Sequence, residues 1–148
     1  MEVKFARSES VARTILRLLD ATQSTVEAAL YRLNNPRLAQ ALDAAATRGV
    51  RVRLLLDANK IQESPVAQEL RERAVFPVRL AFGRLGKGSK MHHKFVMLDG
   101  RTVITGSYNW TLESEDENFE NLIISDELTL AAAYSGEFEA LWGVATDK

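Results

Sequence analysis

Residues 91–110 read MHHKFVMLDGRTVITGSYNW and hold the side chains best suited to chemistry. Asp99-Gly100 stands between two runs of strand formers, the strongest short-range signal for a two-residue hairpin. With those two in the turn, Leu98 pairs with Arg101, Lys94 opposes Thr105 and His92 opposes Ser107. Alternation along the strands then brings His92, Lys94, Ser107 and Asn109 out on one face. Phe95, Met97, Thr102 and Ile104 fall on the other, as core. An imidazole able to attack or to carry a proton, a fixed cation and two neutral donors suit a phosphate whose charge grows in the transition state. A carboxylate to orient the imidazole is still needed. Glu120, sharing a strand face with Leu122 and Ile124, is the candidate, because a carboxylate in a buried strand requires a partner.

His-x-Lys, four residues, Asp, six residues, Gly-Ser-x-Asn is the signature of the phospholipase D superfamily, which this sequence closely resembles. His92, Lys94, Asp99, Gly106, Ser107 and Asn109 fill every position, and Glu120 in FENLII matches the acidic residue downstream in single-motif members. The segment YRLNNPRLAQALDAAATRGVRVRLLLD, residues 31–57, is similar to the amino-terminal half of small bacterial nucleases of the superfamily. The resemblance implies a metal-independent phosphodiesterase without cofactors. In it His92 attacks phosphorus to give a phosphohistidine, and a second histidine protonates the leaving oxygen and then activates water. Because the chain carries one motif, the resemblance further implies a two-fold homodimer whose two His92 residues meet. Lys94 and Asn109 would hold non-bridging oxygens, Glu120 would fix the imidazole tautomer and Ser107 would help position phosphate. Asp99 completes the catalytic set by motif, although a hairpin turn already accounts for its residue type. One imidazole neutral and the other charged gives a bell-shaped rate profile around neutrality.

Helices and strands alternate around this hairpin. Ser8 or Ser10 caps a helix to about Leu19, Thr25–Leu33 is a strand, and a helix restarts at Pro36 and stops near Gly49. Val50–Leu56 is a strand buried on both faces, with Asp57 at its carboxyl end. Val66–Arg73 is a short helix and Val78–Phe82 a strand, followed by a mobile Gly/Lys-rich loop, Gly83–Lys90. Strand Phe119–Ile124 leads through Ser125 to a last helix, about Glu127 to Trp142. The series predicts one α/β domain over 1–148, with a mixed, mostly parallel sheet flanked by helices on both faces.

Other signals are weaker. His93 points away from His92 on a strand, so the pair is a poor chelate, and no catalytic metal is expected. GSYNW lacks the second glycine of a nucleophile elbow, and FGRLGKGSK lacks phosphate-loop spacing. Arg84, Lys87 and Lys90 lead into His92 and could guide a nucleic-acid backbone, with Tyr31, Tyr108 or Trp110 stacking on bases. The run Glu113, Glu115, Asp116, Glu117 reads as a solvated loop.

At 148 residues, 46% hydrophobic and 26% charged, the chain has ordinary globular composition, which argues against disorder and coiled coil. Absence of cysteine excludes disulfide frameworks, thiolate metal sites and cysteine nucleophiles. Up to Lys94 there are 17 Lys and Arg against 9 Asp and Glu; beyond it, 2 against 11. A basic face for a polyanion follows unless folding intermixes the two sets. No stretch reads as a leader or a transmembrane segment, so the sequence as it stands is expected to be cytoplasmic, or periplasmic or secreted if a leader was removed. The first functional expectation is a non-specific endonuclease acting on DNA or RNA. The alternative is a phospholipase D or cardiolipin hydrolase acting on phospholipid, and a third is a nucleic-acid-binding dimer without turnover.

Overall fold

Local signals set most boundaries in the computed structural model, which describes residues 1–73 and 75–147. Strand β1 (Glu2–Phe5) precedes helix α1 (Val11–Ala21), whose first turn is capped by Ser10 Oγ accepting from Arg13 N at 3.1 Å. Strand β2 (Thr25–Leu30) ends short of the expected Leu33, where the chain turns into α2 (Pro36–Thr47). Asn35 caps that helix and Pro36 sits in its first turn. Then come β3 (Arg51–Asp57), a 3-10 turn at Lys60–Glu63, α3 (Pro65–Arg73) and β4 (Val78–Gly83). The Gly/Lys-rich segment is not a mobile loop: Gly86–Lys90 forms β5, antiparallel to β4. Strands β6 (Lys94–Leu98) and β7 (Thr102–Gly106), helix α4 (Leu112–Asp116), strand β8 (Asn121–Ser125) and helix α5 (Leu128–Val144) complete the chain.

The eight strands form one sheet in the order β1-β8-β7-β6-β2-β3-β4-β5. It is mixed and covered by helices on both faces, but the parallel share is smaller than the sequence suggested. Only β2–β3 and β3–β4 run parallel among the described pairings. Parallel neighbours need a crossover of a dozen or more residues. The α2 and α3 segments supply one each, whereas residues 107–120, with the short α4, return β8 antiparallel to β7. Val26, Ala28, Leu30, Leu54, Val96 and Ile104 pack under α1 and α2, while Ala29, Leu55, Phe95, Met97 and Val103 pack under α5.

The hairpin exists, with its register shifted by one. Asp99 and Gly100 take φ of 56° and 66°, and Arg101 N donates to Leu98 O at 3.1 Å. Arg101 nevertheless stays in the turn, and Leu98 pairs with Thr102, Val96 with Ile104 and Phe95 with Thr105. Asp99 explains the difference. Its N–H donates to Thr25 O, and its carboxylate accepts from Gln23 N, Ser24 N, Ser24 Oγ and Thr25 N. These tertiary bonds fix a turn that local hairpin chemistry does not count.

Candidate active site

His92 is carried on a bridge, not within a strand. After β5 the chain passes over the carboxyl ends of β3 and β2 as residues 91–93 before entering β6. Met91 N donates to Asp57 Oδ1 at 2.8 Å, and Tyr31 N donates to His93 O at 2.8 Å. The His92 ring packs edge-on against Tyr31, centroids 4.5 Å apart. Lys94 Nζ lies 3.5 Å from both ring nitrogens of His92, donates to His92 O at 3.1 Å, and sits 5.4 Å from the centre of the Tyr31 ring.

Charge and burial tune this pair. Partial burial lowers the His92 pKa, and the cations Lys94 and Lys90 lower it further, against the pull of Asp57. The imidazole is therefore biased towards its neutral, nucleophilic form. Lys94 is also lowered by burial, and Glu120 opposes the shift. Among the described residues Lys94 makes no ion pair within 4 Å, unlike Arg32, Arg53 or Arg79. An ammonium held this way is available to an anionic ligand.

Ser107 and Asn109 reach the same end of the sheet by a route that alternation does not describe. Extending the observed register places Gly106 opposite Lys94. Gly106 has φ 151°, and a Cβ there would lie 2.3 Å from Asn121 O. Glycine lets the chain leave β7 at this point, after which Ser107 N donates to Asn121 O. The Ser107 hydroxyl is already engaged: it donates to Glu120 Oε1 at 2.6 Å and accepts from Asn121 N at 3.0 Å. Asn109 differs. Its N–H donates to Ser114 Oγ, but its buried Oδ1 has no hydrogen-bond partner among the described residues. That oxygen is an acceptor, so an anionic ligand would be met by the Asn109 Nδ2 hydrogens and not by the orphaned atom.

Several expectations need correction. Glu120 does not orient His92 within the chain; its carboxylate accepts from Ser107 Oγ, Ser114 Oγ and Asn118 Nδ2, and acts on Lys94 through charge. Asp99 lies beyond the far end of β6, about five residues and roughly 17 Å of strand from Lys94. Its role is in the turn. Trp110 and Tyr108 are 2% and 1% exposed, so neither can stack on a base; Trp110 O instead accepts from Asn34 N and Asn35 N. Arg84, Lys87 and Lys90 are exposed on the β4–β5 hairpin, as a guiding surface requires. The acidic run is not a free loop. Glu113 pairs with Arg32 at 2.8 Å, and Glu115 accepts from Ser10 Oγ, Ala12 N and the buried Tyr108 hydroxyl.

The sequence reading passed over Asp57 and gave Tyr31 only a stacking role. Asp57 showed itself only as an acid ending an apolar strand, and Tyr31 as an aromatic after one. Among the described residues no three His, Asp or Glu side chains gather closely enough to hold a metal ion.

A family profile described as "cardiolipin synthase, PLD-like domain" matches residues 15–142. The chain belongs to the phospholipase D-like family. It is similar to mitochondrial cardiolipin hydrolase of Xenopus laevis, 37% identical over 134 residues, covering 88% of this chain and 60% of that protein. The chain spans about 60% of the length of such curated relatives. Its fold resembles that of Nuc, a phospholipase D family member from Salmonella typhimurium, with a TM-score of 0.88 at 24% identity, covering 99% of this chain and 96% of that one. NucT from Helicobacter pylori gives 0.85 at 19% identity, covering 98% and 99%. Membership of this family and the α/β fold agree with the motif resemblance.

Proposed function

We propose that the chain is a phosphodiesterase that cleaves nucleic-acid backbones through a covalent intermediate on His92, at a site completed by a second copy. The observation that carries this reading is the His92–Lys94 pair: an imidazole biased towards neutrality, 3.5 Å from an ammonium that makes no ion pair within 4 Å among the described residues. A neutral ring nitrogen attacks phosphorus while the ester P–O bond breaks. The leaving oxygen takes a proton from the charged His92 of the second copy. Water then attacks phosphorus, the second imidazole accepts its proton, and the P–N bond breaks to free His92. Lys94 Nζ and Asn109 Nδ2 donate to the non-bridging oxygens. Glu120 holds Ser107 and the β7–β8 connection, and so places Asn109. The exposed Arg84, Lys87 and Lys90 favour a polyanionic substrate.

Incubation of purified protein with single- and double-stranded DNA and RNA in the presence of a chelator tests the reading. Cleavage should persist, and His92→Ala should lower it on the order of 10⁴-fold. Cleavage only after divalent metal is added would contradict the reading.

A second reading, phospholipid hydrolysis, draws on a different observation. Phe119 is 86% exposed and Phe5 52% exposed, and with Arg7 they flank Glu120 as an open apolar shoulder at the site. The name of the similar Xenopus protein points the same way. Release of phosphatidate from cardiolipin vesicles, without nucleic-acid cleavage, would favour it. Among the described residues no helix is long and apolar enough to cross a membrane.

A further inference from the structure

Asp57 is fully buried at the carboxyl end of β3 and forms no ion pair among the described residues. Both of its oxygens are used. Oδ2 accepts from Asn59 N at 3.0 Å and Lys60 N at 2.9 Å, and Oδ1 accepts from Met91 N at 2.8 Å. The first two bonds close a local turn, for which an asparagine or serine would suffice. The third joins that turn to a segment 34 residues away, one residue before His92. Serving both sides at once takes two acceptor oxygens, which a carboxylate has and an amide lacks. Asn59 Nδ2 donating to Ser89 O at 3.0 Å closes the same seam a second time.

We propose that Asp57 is a positioning residue of this site: its carboxylate pins the bridge that carries His92 from one side, as Tyr31 N pins it from the other. This rests on the reading of His92 as the attacking group. The charged or titratable neighbours that face His92 are Lys94, Lys90 and His93 from its own segment, Asp57 from the end of β3, and Tyr31 from the end of β2, over which Lys60 also lies. The cations and His93 disfavour a charged imidazole. Asp57 alone among these favours it, so it keeps His92 basic enough to attack phosphorus and, in the second copy, to hold a proton.

The test is the Asp57→Asn protein, compared with wild type by NMR titration of the His92 ring and by the pH dependence of kcat/KM. Asparagine keeps the shape and removes the charge and one acceptor. The His92 titration should move downward, both limbs of the rate profile should follow it to lower pH, and kcat should fall about 10- to 100-fold with KM changed much less. An unshifted His92 titration, with a rate loss that only tracks lost thermal stability, would overturn the proposal. A shifted titration in a protein that cleaves no phosphodiester even as wild type would support the positioning role and reject the functional reading. Should Asp57→Asn not fold, hydrogen exchange in the wild-type protein still decides. The Met91 amide should exchange as slowly as the strand amides of β3, and fast exchange there would overturn the proposal.

Discussion

At the scale of single residues, chemical type and position have to be judged separately. Asp99 belongs to the family motif, yet its carboxylate is spent on Gln23, Ser24 and Thr25, and these bonds hold its pKa below the ordinary value against the effect of burial. A depressed folded-state pKa contributes stability that is present above the unfolded pKa and lost as pH falls through the folded one. Asp99→Ala should therefore cost about 1–3 kcal/mol at neutral pH, with kcat nearly unchanged. The deficit should shrink in acid, where the wild-type carboxyl is itself protonated. Urea melts at about pH 7 and about pH 2 check the sign. His92, Lys94 and Asn109 are candidates by motif spacing, but strand alternation does not group them, since His92 precedes β6 and Asn109 follows β7. Trp110 could not be placed. Its burial at 2% depends on packing against the chain after β2, where it bridges to Leu33, and no local pattern announces that. Asp57 was hidden for the same reason, since its informative partner, Met91, is remote in sequence.

At the scale of elements, capped helices and apolar strands were readable because their signals lie within a few residues. Ser10, Asn35 and Pro36 mark α1 and α2 as capping rules require. Strand β1 was missed: a four-residue edge strand gains its hydrogen bonds only from β8. Strand β5 was missed because glycine and lysine are poor strand formers, and its pairing with β4 overrides that preference. The hairpin register slipped by one because bonds from the α1–β2 connection to Asp99 decide it. That slip matters for the site, since it makes Gly106, rather than strand alternation, the device that delivers Ser107 and Asn109. Gly106→Ala should drive a Cβ against Asn121 O at a φ that L residues rarely adopt. The expected cost is more than about 2 kcal/mol, with activity falling even where the protein remains folded. Thermal melting beside kcat on the folded fraction measures both.

For the whole molecule, the charge asymmetry of the sequence is only partly an asymmetry of surface. Arg32 meets Glu113, Arg53 meets Glu139 and Arg79 meets Asp147, so folding joins basic residues of the first part to acidic ones of the second. Among the described residues Arg84, Lys87 and Lys90 of the β4–β5 hairpin make no ion pair within 4 Å, and Lys90 acts on His92 through charge. Replacing Arg84 and Lys87 by alanine should raise KM for a polynucleotide and flatten its salt dependence by about one unit of log–log slope per lost phosphate contact, leaving kcat nearly intact. An unchanged salt slope would place the substrate track elsewhere. The sheet order and the two-faced helical cover follow from elements that were largely readable. The small parallel share becomes plain only once the strands are placed: β6–β7 is a tight hairpin, and the connection through α4 returns β8 antiparallel to β7.

The central claim is that His92 bonds to phosphorus while its twin in a second copy moves the proton. Rapid quenching of wild-type protein into alkaline denaturant during turnover, followed by peptide mass spectrometry, tests it most directly. The expected result is a nucleotidyl phosphoryl group on His92, at no more than one per two chains. Product formation without an adduct on His92 at any quench time, or a full adduct on every chain, would contradict the account.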